Sequence, residues 1–377
     1  MIFNKMSEII LPVSLGEAID KLSILHIKHT KISDKRQNDV KKEFDILFKI
    51  LENYVEKHKY HYKILYKINL RLWELQDMFH NKDTLKEDSV NICRTILIEN
   101  DRRYRVKAKI NTAANSVLRE QKGYNLKKAM IYSHLGLGDM YWMNGAIRYL
   151  ATDYDEVLVV CKRRNEKNVR EMYADDSTIQ LYLIDDDIDL HPWPLKKHIF
   201  SSQGYTVFGC GGFSNKETPV LYNLPESFYD DINIPHEFRN IYFHVPRTEE
   251  SLALVKLYNC PYVVVHEQSS VQRLPIVEHL RQLGETRLIL DLNKNSYSKD
   301  THPNEWELAE HVVNKPILDY TYLLEKADEI HVIESSIYCL ASHLDLNRVK
   351  QRVCYDPWGG NSERLGVFKT GTTLRPV

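Results

Sequence analysis

The sequence predicts a mixed α/β chain in which an all-helical leading segment precedes two open α/β units. Three observations carry that expectation. Before residue 123 the chain holds Gly only at Gly16 and Pro only at Pro12. Apolar residues in that segment recur at helical spacing. After it, short β-rich runs alternate with helical patterns and Gly or Pro punctuation, the texture of layered α/β units. At 377 residues the chain exceeds one ordinary core, so more than one domain is expected. The composition shift places a helical domain at 1–122 and two α/β domains at 123–245 and 246–377.

The helical segment opens on Ser14-Leu15-Gly16-Glu17, the pattern of a capping box in which hydroxyl and carboxylate each satisfy an orphan backbone N–H. Leu15, Ala18, Ile19, Leu22, Leu25 and Ile32 follow as a first stripe. Val40, Phe44, Leu47, Phe48, Leu51 and Val55 give a second, and Leu65, Ile68, Leu72, Leu75 and Phe79 a third. A fourth helix is expected over 87–118 with Ile96, Leu97, Tyr104 and Ala108 inward. Such striped helices bury their faces on one another, as a bundle or a long hairpin. Residues 99–128 carry nine Lys or Arg against three acids, readable as a solvated helix face or as a contact surface for a partner or an anionic polymer.

The first α/β unit reads as strand 129–133, a tight loop at 134–139, helix 140–150, strand 156–161, helix 165–173 and strand 179–184. This is the βαβαβ half of a doubly wound sheet with right-handed crossovers. The second begins with strand 262–266 and continues through helix 276–283, strand 287–291 and helix 319–326. Strand 329–333, helix 335–344 and strand 352–355 complete it. Two such units joined by a middle segment imply a cleft.

Composition excludes several classes. A hydrophobic fraction of 43% and a charged fraction of 27% are ordinary for a globular protein. A net charge of −1 gives no field drawing the chain to nucleic acid or anionic lipid. No apolar run approaches a membrane span, and the first residues are too polar for a secretory signal. The six cysteines show no CxxC pair, which speaks against a disulfide framework and for a reducing cytoplasm. Histidines lack metal-ligand spacing and there is no GxSxG elbow. Asp185-Asp186-Asp187-Ile188-Asp189 has the DxD spacing of metal-diphosphate sites but reads as a solvated acidic loop, so no metal is expected.

The candidate site residues cluster at strand ends. Gly136 and Gly138 lie between a strand and a helix, where the backbone can approach a ligand or simply turn tightly. Asp139 at the helix start is either a dipole-matched cap or a general base. Glu334, Ser335 and Ser336 end one strand and open a helix. They fit an N-cap, or hydroxyls on nucleotide phosphates with Glu334 on a ribose or sugar hydroxyl. His266, Ser269, Ser270 and Arg273 follow another strand, where open sheets bind ligands, and the guanidinium suits a departing diphosphate. The alternative there is a polar surface loop. His244 and Arg247 are further candidates for the same cleft.

From about Lys128 to Val367 the chain resembles the GT-B glycosyltransferases, nearest in style to the heptosyltransferase (family 9) branch. The matching features are Gly136-Leu137-Gly138-Asp139 with Arg148-Tyr149-Leu150 on the next helix, and Val332-Ile333-Glu334-Ser335-Ser336 leading to Cys339-Leu340-Ala341. The resemblance implies two Rossmann-like domains, Asp139 as base, and Ser335 and Ser336 on the donor phosphates. The sequence departs from that branch in having Ser-Ser for its usual Thr-Gly pair and His266-Glu267-Gln268 for its HPG-type turn. The helical segment resembles an uncharacterised bacterial family around Val13–Glu17, Lys21-Leu22, Leu72-Trp73-Glu74 and Asn100–Arg103. The expectation is a cytoplasmic, metal-independent glycosyltransferase with no cofactor. It would use a nucleotide-sugar donor and a glycan or other acceptor, and could self-associate through the helical domain. A nucleotide-sugar epimerase and a catalytically silent scaffold are the alternatives.

Overall fold

The structure is a computed structural model. It describes residues 11–80, 86–123, 125–132, 136–210, 226–270, 272–293, 309–313, 315–355, 367–371 and 374. The chain separates into two compact units. The first comprises residues up to Lys128 together with Leu150–Glu156 and Asp175–Thr178, and the second holds the remainder.

The first unit contains α1 (Leu15–Lys31), α2 (Gln37–Lys57), α3 (Lys59–His80) and α4 (Lys86–Ala113). Ser14 caps α1, its hydroxyl accepting from the Glu17 backbone N–H at 3.2 Å. The acidic half of the expected box goes elsewhere, because the Glu17 carboxylate accepts from Lys107 Nζ at 2.7 Å. Ile19, Leu22 and Leu25 of α1 and Leu65, Ile68, Leu72 and Leu75 of α3 are buried as the periodicity predicts, and Ile64 joins them. On α2 only Leu51 of the expected stripe is buried. Phe79 and Leu97, expected inward, are exposed, and α4 buries Ile92, Val106 and Ile110 instead.

The reason lies in charge. Most of the basic run is neither a solvated face nor an open contact surface: seven of its nine cations are paired within the unit, and among the described residues only Arg119 and Lys127 lie exposed without such an ion pair. Arg102 meets Glu99 at 2.7 Å and Asp153 at 3.1 Å. Arg103 grips the buried Asp20 through Nε at 2.9 and 3.0 Å, and Asn69 donates to the same carboxylate at 2.8 Å. Arg105 reaches Asp155 at 2.9 Å, Lys107 reaches Glu120 as well as Glu17 at 2.7 Å, and Lys109 reaches Asp176 at 2.5 Å. A helix carrying five buried or half-buried cations has little inward surface left for the predicted apolar stripe. Neighbouring carboxylates from Asp153, Asp155 and Asp176 are why those later segments belong to this unit.

The second unit holds two sheets. The first is built from β1 (Lys128–Tyr132), β2 (Glu156–Lys162), β3 (Ile179–Ile184) and β4 (Tyr205–Gly209), in the order β3-β2-β1-β4. Helices α5 (Leu137–Asp153), α6 (Glu166–Met172) and α7 (Trp193–Ser202) connect them. Helices α8 (Glu226–Asp231), α9 (Phe238–Ile241) and α10 (Glu249–Lys256) lead onward. The second sheet contains β5 (Tyr262–His266), β6 (Leu288–Asp291), β7 (Glu329–Ile333), β8 (Gln351–Tyr355) and β9 (Lys369–Thr370), in the order β6-β5-β7-β8-β9. Its pairings are all parallel, with Val265 opposite both Asp291 and His331. Helices α11 (Ile276–Gln282), α12 (Ala309–Val312), α13 (Thr321–Glu325) and α14 (Ser336–Ala341) accompany it.

Strands 179–184, 262–266 and 329–333 fall where the sequence places them; the last two are mostly buried and rich in Val and Ile, as central parallel strands are, whereas 179–184 is a half-buried edge strand. Strands β4 and β9 were not anticipated: Tyr205–Gly209 is a half-exposed edge strand and Lys369–Thr370 only two residues long. Met130, Tyr132, Val160, Ile184, Leu190 and Phe200 form a core on the first sheet. Val263, Val265, Ile276, Ile289, Ile333 and Val353 form one on the second. In each sheet the strand order reverses beside the strand entered first, between β1 and β4 and between β5 and β7. In open parallel sheets such reversals open a crevice at the carboxyl ends of the strands.

Removing one member of a buried ion pair leaves an uncompensated charge, at a cost of about 3–5 kcal/mol. Lys109→Ala is therefore expected to lower stability by that order in urea unfolding, whereas the double variant Lys109→Met with Asp176→Leu should recover most of it. Equal loss in both would show that shape, not charge, governs the contact.

Candidate functional site

The loop after β1 and the strand ends of β5 and β7 converge. His134 and Leu135 of the predicted loop lie outside the described residues, but Gly136 to Asp139 are placed. Asp139 Oδ2 accepts the Gly136 N–H at 2.7 Å. This is the reach of a third-position acid back to the helix cap, so the cap reading of Asp139 is realised. One oxygen engaged in this way fixes the orientation of the carboxylate.

Gly138 faces the other sheet. A Cβ built on it would lie 2.9 Å from Cys339 Sγ and 3.8 Å from Ser336 Cα. One turn along α5, Trp142 packs edge-on against Tyr338 at 6.1 Å and His343 at 5.0 Å. Phe243, in the segment between the sheets, stacks on His343 at 4.4 Å. The first turns of α5 thus touch α14 at Gly138 and Trp142.

At the second reversal, His266 ends β5 and Ser335 follows β7, and the Ser335 hydroxyl lies 3.0 Å from His266 Nδ1. The same hydroxyl accepts from the Tyr338 N–H at 3.4 Å, capping α14. Burial pushes His266 down to about 4, so its ring is neutral near pH 7. Burial likewise pushes the Cys339 thiol up, and negative charge at Asp139 and Glu334 raises it further. Both carboxylates therefore lie near one buried thiol. The structure thereby gathers Gly136, Gly138, Asp139, His266, Glu334, Ser335 and Ser336 at one place.

The remaining candidates sit around it. Glu267 is fully buried and accepts from Arg273 Nε at 2.7 Å and from the Val277 N–H at 3.3 Å. Arg273 is held by this pair with its side chain one-third exposed. Ser269 closes a tight turn with Gln272, and Ser270 is exposed. The backbone of His244 is clamped to α5: its N–H donates to Asn144 Oδ1, and its carbonyl accepts from the buried Arg148, each at 2.9 Å. Arg247 is paired with Glu325 at 2.5 Å and lies over the Tyr322 ring.

The acidic loop is internally engaged. Asp185 pairs with Arg163 at 2.8 Å, and Asp187 with Lys162 at 2.9 Å and the Tyr132 hydroxyl at 3.1 Å. Asp189 accepts two backbone N–H groups of the same loop. Among the described residues, no group of three or more His, Cys, Asp or Glu side chains is arranged to hold a metal ion. No described helix is long and apolar enough to cross a membrane. A cavity of about 490 Å³ lies elsewhere on the second sheet, along β7, β8 and β9. It is lined by Arg287, Glu329, His331, Tyr355 and Lys369 among others. Its lining contains none of the residues gathered at the strand reversals, where parallel sheets present their ligand crevices.

Sequence reasoning missed Trp142 and His343 as parts of this site, named Cys339 without giving it a role, and missed Glu267 as the partner of Arg273. Only the last had a local signal, an acid six residues before the guanidinium.

Residues 9–134 match a family of unknown function, DUF6165, which covers a third of the chain. No curated protein sequence matches. Among solved structures, the chain is similar to the iron-containing dodecameric glycosyltransferase TibC of enterotoxigenic E. coli. That likeness has 16% identity and TM-score 0.40, over 66% of this chain and 63% of TibC. It is also similar to dodecameric iron-containing heptosyltransferase TibC in complex with ADP-D-beta-D-heptose, at 14% identity and TM-score 0.41 over the same shares. A third likeness is to a glycosyl transferase family 9 protein of Veillonella parvula. It has 9% identity and TM-score 0.39, over 62% of this chain and 83% of that one. The matched region spans less than two thirds of TibC.

His266 and His343 are both pushed down to about 4 by burial, from an ordinary value of 6.5. Each is neutral in both states above pH 6.5. As pH falls below that value the unfolded chain takes up protons that the folded chain does not. Stability should therefore be greatest above pH 6.5 and decline towards pH 4, by up to about 1.4 kcal/mol per pH unit for each histidine. Urea midpoints measured across this range should show the decline, and His343→Phe should flatten it. An undiminished slope in that variant would remove His343 from the account.

Proposed function

We propose that this chain is a glycosyltransferase that moves a sugar from a nucleoside-diphosphate donor to an acceptor hydroxyl. The observation that supports it best is the meeting of both strand reversals, through Gly138 and Cys339. Two Rossmann-like domains, 123–245 on the acceptor side and 246–377 on the donor side, would place substrates along that meeting line. A protein built only to pack two sheets has no need to gather a carboxylate, a neutral histidine and two serines there.

In this reading Asp139, oriented by the Gly136 N–H, removes the acceptor proton as the acceptor oxygen attacks the anomeric carbon. The bond from that carbon to the diphosphate breaks, and the departing oxygen is met by the Ser335 and Ser336 hydroxyls. Arg273 uses Nε and Nη2 on Glu267; its remaining donors stabilise the diphosphate charge. Ser269 and Ser270 border the same groups, and Glu334 takes a ribose or sugar hydroxyl. His266, neutral and bonded to Ser335, holds that hydroxyl in register. His244 and Arg247 support the cleft wall. No step is routed through a metal, because the Asp185–Asp189 carboxylates are engaged with Arg163, Lys162 and their own backbone. Self-association through the helical domain and a cytoplasmic setting belong to the same proposal.

One observation favours a second reading, a binding protein without catalysis: Arg247 and Arg273 are both ion-paired, which reduces the free positive charge at the cleft. Product analysis separates the two.

A panel of ADP, GDP, UDP and CMP with their sugar conjugates tests the proposal. A nucleotide at about 100 times its dissociation constant should add roughly 2.7 kcal/mol of apparent stability. With the donor so identified, Asp139→Asn should lower turnover by about 10²–10⁴-fold with donor binding retained. Unaltered turnover would exclude Asp139 as base, and loss of turnover to a chelator would overturn the metal-independent scheme.

A further inference from the structure

The contact between α5 and α14 has the form of a lock whose two halves are chosen for size. Helix α14 and the turn after it present Ser336, Cys339 and His343 on one side, and α5 presents Gly138 and Trp142 to them. Trp142 and Phe243 enclose the His343 ring, whose Nδ1 lies 2.8 Å from the Cys339 carbonyl. With that carbonyl as acceptor, Nδ1 carries the proton, leaving Nε2 without a hydrogen-bond partner inside the aromatic enclosure. The imidazole is thus held by its fit between two rings and by one hydrogen bond. Cys339 is buried, and its sulfur occupies the space that any side chain at position 138 would need. Close-packed interiors do not absorb such an overlap by small adjustments alone.

We propose that Gly138 and Cys339 are a size-matched pair that fixes the separation of the two strand-reversal loops, making Cys339 a positioning residue for Asp139 and Glu334. The glycine is then demanded by the opposing helix and not by the approach of a ligand. Asp139 adjoins Gly138 in sequence, and Glu334 precedes the helix that carries Cys339, so one contact sets both carboxylates. The consequence for turnover rests on the transferase reading above, whereas the size match does not.

Four full-length proteins test it: wild type, Gly138→Ala, Cys339→Ala and the double variant. The readouts are melting temperature, native-state alkylation of Cys339 by iodoacetamide followed by mass spectrometry, and stabilisation by the nucleotide panel. Gly138→Ala should lower the melting temperature and speed Cys339 alkylation about tenfold or more, as local opening becomes easier. It should also abolish the nucleotide-induced shift. Adding Cys339→Ala, which frees the overlapped space, should restore most of both the melting temperature and the shift. The proposal is overturned if Gly138→Ala leaves alkylation and melting unchanged, or if the double variant is no better than Gly138→Ala. It is also overturned if nucleotide stabilisation in Gly138→Ala equals wild type, since a purely structural contact would behave so. Should no nucleotide shift the wild type, the donor reading fails, while alkylation and melting still decide the size match.

Discussion

At Gly138 the chain has no side chain where a sulfur from the other sheet comes to rest. That close approach is the constraint around which the second unit is arranged. It brings α5, which leaves the first sheet at its strand reversal, onto α14, which leaves the second sheet beside its own. Trp142, Phe243 and His343 then fill the space beside it with stacked and edge-on rings. Arg148, wholly buried on α5, ties the same helix to the His244 and Met172 carbonyls. The polar groups that could act on a ligand are all carried by the loops which this packing brings together.

The first unit is governed by charge. A run of cations on α4 is matched one by one by carboxylates from α1 and from two short segments later in the chain. Buried pairs of this kind add little net stability compared with apolar packing, but they are intolerant of losing one member. They specify which surfaces meet, since a helix displaced by one turn would leave several charges uncompensated. The half-exposed stripe on α2 follows from this: α1 and α3 form the apolar part of the unit, and α4 contributes mostly charge.

Much of the fold was legible because its signals are local. Strands such as Tyr262–His266 and Glu329–Ile333 are short runs rich in Val and Ile, and helix α1 announces itself with Ser14. The candidate site was legible in part. Glycines, serines and Asp139 at strand ends are visible in any α/β sequence, and the structure gathers several of them. Their roles were not legible, because Asp139 as a cap and Asp139 as a base demand the same residue at the same position. Cys339 was visible only as part of a resemblance and His343 not at all: their importance comes from residues about 200 positions earlier, and a buried thiol on a helix looks like any core residue. The basic run misled for the same reason, since its partners Asp153, Asp155 and Asp176 lie beyond the helix that carries it.

The most direct test of the central claim is an experimental structure of the protein grown with ADP, GDP or UDP. The account predicts the diphosphate beside Ser335, Ser336 and Arg273, at the carboxyl ends of β5 and β7, with α5 and α14 still in contact at Gly138. A nucleotide found instead in the cavity lined by Arg287, His331 and Lys369, or α14 standing clear of Gly138 in the complex, would contradict it.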